Sequence, residues 1–279
     1  MESSEQGRPL AVRAAVRTDP GRVRRSNEDA SGCFPDLLLF AVADGMGGHA
    51  GGQVASALTI ETLRHSLLQV SDDDLTPIVD ANGNCSVSGR RLVIALHEAN
   101  DQVLQASHGR PELHGMGTTV AALLFEPAYD LVAVCHVGDS RVYRIRAERI
   151  EQLTEDHTVV QQLVREGKMA AEEVRASPQR HMLTQAVGVE PLVSPALRLE
   201  KPVAGDVFVI TSDGIHDQVE ASDILAAVRE TVGDIERACE RLIALANERG
   251  GKDNSTVLIV ACDSRSGPIP TTDDSTLAV

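Results

Sequence analysis

Apolar residues along this chain fall into short runs separated by polar turns, and three longer stretches repeat at helical spacing. Runs rich in Val, Ile, Leu and Ala predict strands at 12–18, 37–43, 119–125, 131–137, 141–146, 207–211 and 257–261. A helix is predicted about 53–70, where Ile60, Leu63, Leu67 and Val70 share a face. Leu92, Leu96, Ala99 and Val103 do the same over 92–107, and Ile235, Ala238, Leu242 and Leu245 over 234–248. Between the first two helices, 71–89 carries three consecutive aspartates, a proline and Asn-Gly-Asn, and reads as a long loop. Strands this numerous beside so few long helices do not alternate as βαβα. They predict antiparallel sheets covered by helices, an α+β arrangement, rather than a doubly wound parallel sheet.

The ends lose this pattern. Residues 1–9 are polar, and 264–279 are rich in Pro, Thr, Ser and Asp, so both are expected to be disordered around one domain spanning 10–263. With 279 residues, 42% of them hydrophobic, the chain can bury a sizeable core. Only 2% are aromatic and none is Trp, so Leu, Val, Ile and Ala must fill that core. A net charge of −15 repels nucleic acid and anionic lipid, which argues against either as a partner. The five cysteines are scattered without a C-x-x-C pair, which fits a reducing compartment rather than a disulfide framework or a zinc ribbon. The start, MESSEQGRPL, has no apolar signal-peptide core, and the longest apolar run, 37–43, is too short to span a bilayer. The expectation is a soluble, cytoplasmic, monomeric protein.

The acids are placed informatively. Asp44 follows the apolar run LLLFAVA, Asp139 follows LVAVCHV, and Asp213 follows DVFVIT. Asp253 precedes STVLIV, and Asp29 lies shortly after the first predicted strand. Any one of these alone reads as a turn residue, since Asp-Gly is a common hairpin dipeptide. Five acids at strand ends, dozens of residues apart, suggest instead one site assembled from the whole fold. Carboxylates gathered in that way repel one another and need a cation to coexist. All-oxygen ligands favour Mg²⁺ or Mn²⁺, and no His or Cys cluster has zinc spacing. The glycines at 45, 47, 48, 51 and 52 let backbone approach an ion closely, so that the Gly45 carbonyl can act as a ligand. Neither a GK[ST] nor a GxGxxG pattern makes them a nucleotide loop. Arg24 and Arg25 read equally as a phosphate clamp and as a solvated basic surface.

In order, VRRSNEDA, DGMGGHAGG, MGTT, VGDSRVY, LTEDH, TSDGIHD and GGKDNSTVLIV strongly resemble the bacterial branch of the metal-dependent PPM (PP2C-type) protein phosphatases, over about 12–261. The resemblance implies a four-layer α-β-β-α sandwich of two antiparallel sheets flanked by helices. It implies two or three Mn²⁺ or Mg²⁺ ions and hydrolysis of phosphoserine and phosphothreonine on proteins. It further implies that Asp44 bridges two ions, that the Gly45 carbonyl binds the second, and that Asp213 and Asp253 bind the first. Glu28 and Asp29 match acids that reach the second ion through water, Asp139 and Asp213 match the ligands of a third, and Arg24 matches the phosphate-binding arginine. Residues 153–188 resemble a mobile flap. The implied partners are phosphoprotein substrates and a Ser/Thr protein kinase of the bacterial eukaryotic-like type. Met46 stands where the animal branch has its proposed general acid, a His, so that role is unassigned.

Two rivals remain open from sequence. Cys85 and Arg91 have the C-x5-R spacing of cysteine phosphatases, although the preceding ANGN does not read as a strand. A binding protein that keeps the fold without the chemistry is the other, against which every expected ligand position still holds Asp or Gly.

Overall fold

The computed structural model describes residues 10–47, 50–70, 75–80, 82–127 and 130–264. The two ends expected to be disordered therefore lie outside the described residues, apart from Ser264, and so does His49. The first third of the chain runs β1 (Leu10–Asp19), β2 (Asp29–Phe34), β3 (Leu39–Met46), α1 (Ala50–Gln69), β4 (Ile78–Val79), β5 (Cys85–Ser86) and α2 (Val87–Gly109). The middle holds β6 (Gly117–Thr118), β7 (Val120–Glu126), β8 (Leu131–Val137), β9 (Arg141–Arg146), β10 (Arg149–Gln152) and α3 (Val159–Arg165). The last part is β11 (Ala196–Glu200), β12 (Val207–Thr211), α4 (Asp213–His216), α5 (Ala221–Glu230), α6 (Ile235–Glu248) and β13 (Ser255–Ser264).

Two antiparallel sheets face each other. One is ordered β1-β13-β12-β9-β10; the other is β11-β8-β7-β3-β2, with β6 pairing the end of β3. Between them lies an apolar layer of Phe40, Val42, Leu123, Phe208, Ile210, Leu258 and Val260. Phe125 sits edge-on between Phe40 and Phe208, with ring centroids 6.0 and 5.8 Å away. Helices α1 and α2 cover the outer face of the β3 sheet through Leu63, Leu67, Leu92, Leu96 and Val103. Helices α5 and α6 cover the β13 sheet through Ile224, Ile235, Ala238 and Leu242. The result is the expected α-β-β-α sandwich. Among the described residues, no helix is long and apolar enough to cross a membrane.

Four predicted strands and all three predicted helices recur with ends shifted by a few residues, and 131–137, 141–146 and 207–211 recur unchanged. The predicted loop at 71–89 needs correction. Residues 78–79 and 85–86 form a small antiparallel ladder, and α2 begins at Val87. Ser86 is its N-cap, its Oγ accepting from the Gly89 amide at 2.8 Å and donating to the buried Glu126 carboxylate at 2.5 Å. The unpredicted strands β2, β10 and β11 are short and mostly polar or half-buried, so their own periodicity is weak.

Candidate metal centre

Strand direction gathers the acids. Asp44 near the end of β3, Asp29 at the start of β2, Asp213 just past β12, Asp139 just past β8 and Asp253 just before β13 all sit at one end of the sandwich. Asp29 and Asp44 are direct register partners across β2 and β3. A cleft of about 1070 Å³ opens there, lined by Arg24, Glu28, Asp44, Gly45, Asp139, Asp213 and Asp253 among others. Asp29 does not line it; it lies behind, as the structural partner of Asp44.

Burial and like charge set the electrostatics. Desolvation holds the Asp44 carboxyl well above the usual carboxylate range, and Asp29, Asp213 and Asp139 add to the shift. Asp213 is pushed up in the same way, by burial and then by Asp139, Asp253, Asp217 and Asp29. Burial raises Asp139 to about 7, with Asp156 adding and Arg141 opposing. Asp29 is raised to about 6 by burial, although its Oδ2 accepts from Thr256 Oγ1 at 2.6 Å and Ser212 Oγ at 2.8 Å. Its buried Oδ1 has no hydrogen-bond partner among the described residues. A buried carboxylate oxygen with no donor, directly behind an acidic, oxygen-only site, suits the water shell of a hard divalent cation held in that site. Among the described residues, no three His, Cys, Asp or Glu side chains close into a preformed cage.

The backbone around the acids is pinned. The Asp44 carbonyl accepts from Thr118 Oγ1 and the Thr119 amide, both at 2.8 Å, and Thr119 Oγ1 is bonded to Ser140 Oγ at 2.7 Å. Asn254 staples the Arg24 loop to the Asp253 turn. Its Nδ2 donates to the Pro20 and Ser26 carbonyls at 3.0 and 2.9 Å, and its Oδ1 accepts from the Glu28 amide at 2.8 Å. Arg24 Nη2 donates to Asp253 Oδ2 at 2.6 Å, with the arginine side chain 53% exposed at the rim. Arg25 lines no part of the cleft. Arg141 grips Asp156 through Nε and Nη2, an ion pair that fixes the opposite wall.

Gly45 works by close approach. A Cβ there would stand 2.1 Å from the Gly52 carbonyl oxygen and 2.5 Å from that of Glu28, and its amide donates to the same Glu28 carbonyl at 3.2 Å. Both obstacles are backbone, so Gly45→Ala must displace either the β2 entry or the first turn of α1. We expect it to cost about 1–3 kcal/mol of stability, read by urea denaturation; a variant as stable as its parent would show that this packing is slack.

The hydroxyls of Thr118, Thr119, Ser140, Ser212 and Thr256 and the Asn254 clamp had no assigned role in the sequence reading. Their signal was adjacency, since each stands within three residues of a strand-end acid or, for Thr118 and Thr119, inside the MGTT motif. The C-x5-R reading does not match the geometry. Cys85 is an exposed residue of the β4–β5 ladder, and Arg91 Nη2 donates to the Leu67 carbonyl at the end of α1.

The chain matches the protein phosphatase 2C family model over residues 23–249. It is 39% identical over 251 residues to the serine/threonine protein phosphatase PstP of Mycobacterium tuberculosis, an alignment covering 90% of this chain and 45% of that one. The chain thus spans about half the length of that relative. The serine/threonine phosphatase stp of Listeria monocytogenes is 33% identical over 258 residues, covering 90% of this chain and 96% of its own. The catalytic domain of PstP in complex with two manganese ions superposes with a TM-score of 0.76 at 36% identity, over 91% of this chain and 99% of that one. By sequence and by fold, the chain belongs to the protein phosphatase 2C family.

Proposed function

We propose that this protein is a metal-dependent serine/threonine phosphatase, hydrolysing phosphoserine and phosphothreonine monoesters on proteins. The observation that carries the reading is the gathering of Asp29, Asp44, Asp139 and Asp213 at one end of the sandwich, each held above the usual carboxylate range, with an arginine at the rim. The oxygen-only donor set suits Mn²⁺ or Mg²⁺. Asp44 would bridge two ions; Asp213 and Asp253 would complete the first, and the Gly45 carbonyl, with Glu28 and Asp29 behind it, the second. Asp139 and Asp213 would hold a third. When bound, such ions supply Lewis acidity and acidify water toward neutrality for in-line attack on phosphorus.

The chain's own residues do the rest. Arg24, on a loop stapled by Asn254, offers a planar fork to the equatorial phosphate oxygens. Its partner in this structure is Asp253, so engaging phosphate and freeing Asp253 are one movement. Residues 153–188 form the outer wall through Thr158, Val160, Ala171, Val174 and Leu183, and we assign them as the flap of a single catalytic domain spanning 10–263. The flap and the 71–80 segment, of which 71–74 lie outside the described residues, are the proposed specificity elements. An opposing bacterial eukaryotic-like Ser/Thr kinase follows from this activity. Five free cysteines support a reducing, cytoplasmic setting, and we assign the protein as a monomer.

The test is p-nitrophenyl phosphate hydrolysis with Mn²⁺, then with excess EDTA, then with Mn²⁺ restored. Activity should vanish with EDTA and return with the metal. Hydrolysis indifferent to EDTA would transfer attention to Cys85, and a protein inert with every metal would be a binding module.

A further inference from the structure

The turn that presents Asp139 is held from two sides. Thr119 holds one of them. Its Oγ1 is bonded to Ser140 Oγ at 2.7 Å, and its side chain fills the space beside Gly138, where a Cβ would meet the Thr119 Cβ at 2.6 Å. The same Oγ1 accepts from the Asp44 amide at 3.3 Å, so this side fixes the turn relative to Asp44.

His157 holds the other side. Its backbone amide donates to the Gly138 carbonyl at 3.0 Å, and its Nδ1 accepts from the Gly138 amide at 3.3 Å. One residue thus closes both backbone groups of the glycine immediately before Asp139. Gly138 is buried at φ +98°, in the left-handed region that glycine visits freely, so its conformation is set by these outside contacts.

The imidazole suits this task. A backbone amide can only donate, so Nδ1 carries no proton and the ring is the neutral Nε2–H tautomer. Burial and the neighbouring His136 push His157 down to about 4, which keeps that form near neutrality. The two rings stack with centroids 4.6 Å apart and 27° between their planes, and His136 Nε2 donates to the Glu155 carbonyl at 2.8 Å. His157 also stands at the base of the segment assigned as the flap. Its carbonyl accepts from the Thr184 amide at 2.8 Å, and Thr158 bridges Leu183 beside it, so the outgoing and returning chains of 153–188 meet there.

We propose, on the metal-dependent reading above, that His157 is a positioning residue: its Nδ1, by holding the Gly138 amide, sets the turn that presents the Asp139 carboxylate to the cleft and joins that carboxylate to the base of the flap.

Three variants of the full chain separate the acceptor from the ring. His157→Asn keeps an acceptor bonded to Cγ, where Nδ1 stands, but loses the stack on His136. His157→Phe keeps the stack without an acceptor, and His157→Ala keeps neither. In EDTA, hydrogen exchange of the Gly138 amide, read by NMR, should quicken about 10-fold or more in His157→Ala and His157→Phe and stay parent-like in His157→Asn. Calorimetric Mn²⁺ titration should follow the same order, with one site loosened about 10-fold in His157→Ala and His157→Phe. In an Asp139→Ala background, His157→Ala should change Mn²⁺ binding no further. Rescue by His157→Phe rather than His157→Asn would make the ring a packing element and overturn the proposal. An effect on Mn²⁺ binding that persists without Asp139 would overturn it equally. A parent that binds no Mn²⁺ would overturn the metal-dependent reading instead; the amide exchange, measured without metal, decides the role of His157 in either case.

Discussion

Asp44→Ala should abolish turnover while making the metal-free protein more stable than its parent. Asp44 faces Asp29 directly across β2 and β3, and Asp213 and Asp139 add their charge to a carboxyl already desolvated. Removing it takes away the centre of that repulsion, and an alanine remains compatible with the strand. The same residue would bridge the ions, so the variant loses the element that sets both positions. We expect kcat/KM to fall about 10³-fold or more, ~4 kcal/mol of transition-state stabilisation. The pH dependence has a definite sign. Asp139 and Asp29 are raised to about 7 and about 6, above the ~3.9 of an unfolded aspartate. The folded, metal-free protein therefore binds more protons than the unfolded chain, and its stability rises as pH falls from about 7 toward about 4. Asp44→Ala should flatten that rise. Thermal unfolding in EDTA at two pH values, beside Mn²⁺-supported turnover, measures both effects. A variant that turns over like its parent would remove Asp44 from the site, and one that unfolds more readily would deny the repulsion.

Arg24→Ala should lower kcat/KM about 10²-fold, the scale for losing one positioned charge donor at a transition state. It should also tighten metal binding. Arg24 lies 2.6 Å from Asp253 Oδ2 and feels Glu28 and Asp213, so its positive charge competes with a cation for the same carboxylates. A residue that only stabilised the loop would not produce this opposition, because the Asn254 staple holds that loop independently. Mn²⁺ titration of activity, together with direct calorimetric binding, separates the two effects. Weaker metal affinity in Arg24→Ala would mean that the arginine orders Asp253 for the ion, and the competition would be refuted. Arg24→Lys should recover charge but not the bidentate fork, and so only part of the rate.

Local pattern determined much of this molecule. The β-branched runs at 131–137, 141–146 and 207–211 set their strands to the residue, because each is bounded by Gly, Asp or a turn and is buried on at least one face. The helix at 234–248 was equally legible from its repeating apolar face, with the Asp234 carboxylate capping it at 3.0 Å to the Arg237 amide. The acids could be read as one site because each was tied to a strand end, and strand ends converge when sheets stack. The sequence could not show what depends on distant partners. The strand β2 reads as a polar segment alone and becomes a strand because β3 offers it a ladder and Gly32 lets the Phe34 ring lie close. The 71–89 segment acquired a ladder and a helix cap only because Ser86 meets the buried Glu126, 40 residues on. Which acid lines the cleft and which stands behind it, that Asp29 keeps an oxygen without a hydrogen-bond partner among the described residues, and that Arg24 rests on Asp253 across 229 residues were all decided by packing. Periodicity reports the face a residue presents. Burial, charge shift and hydrogen-bond partner arise from contacts between elements far apart in the chain, and only the assembled sandwich brings those elements together.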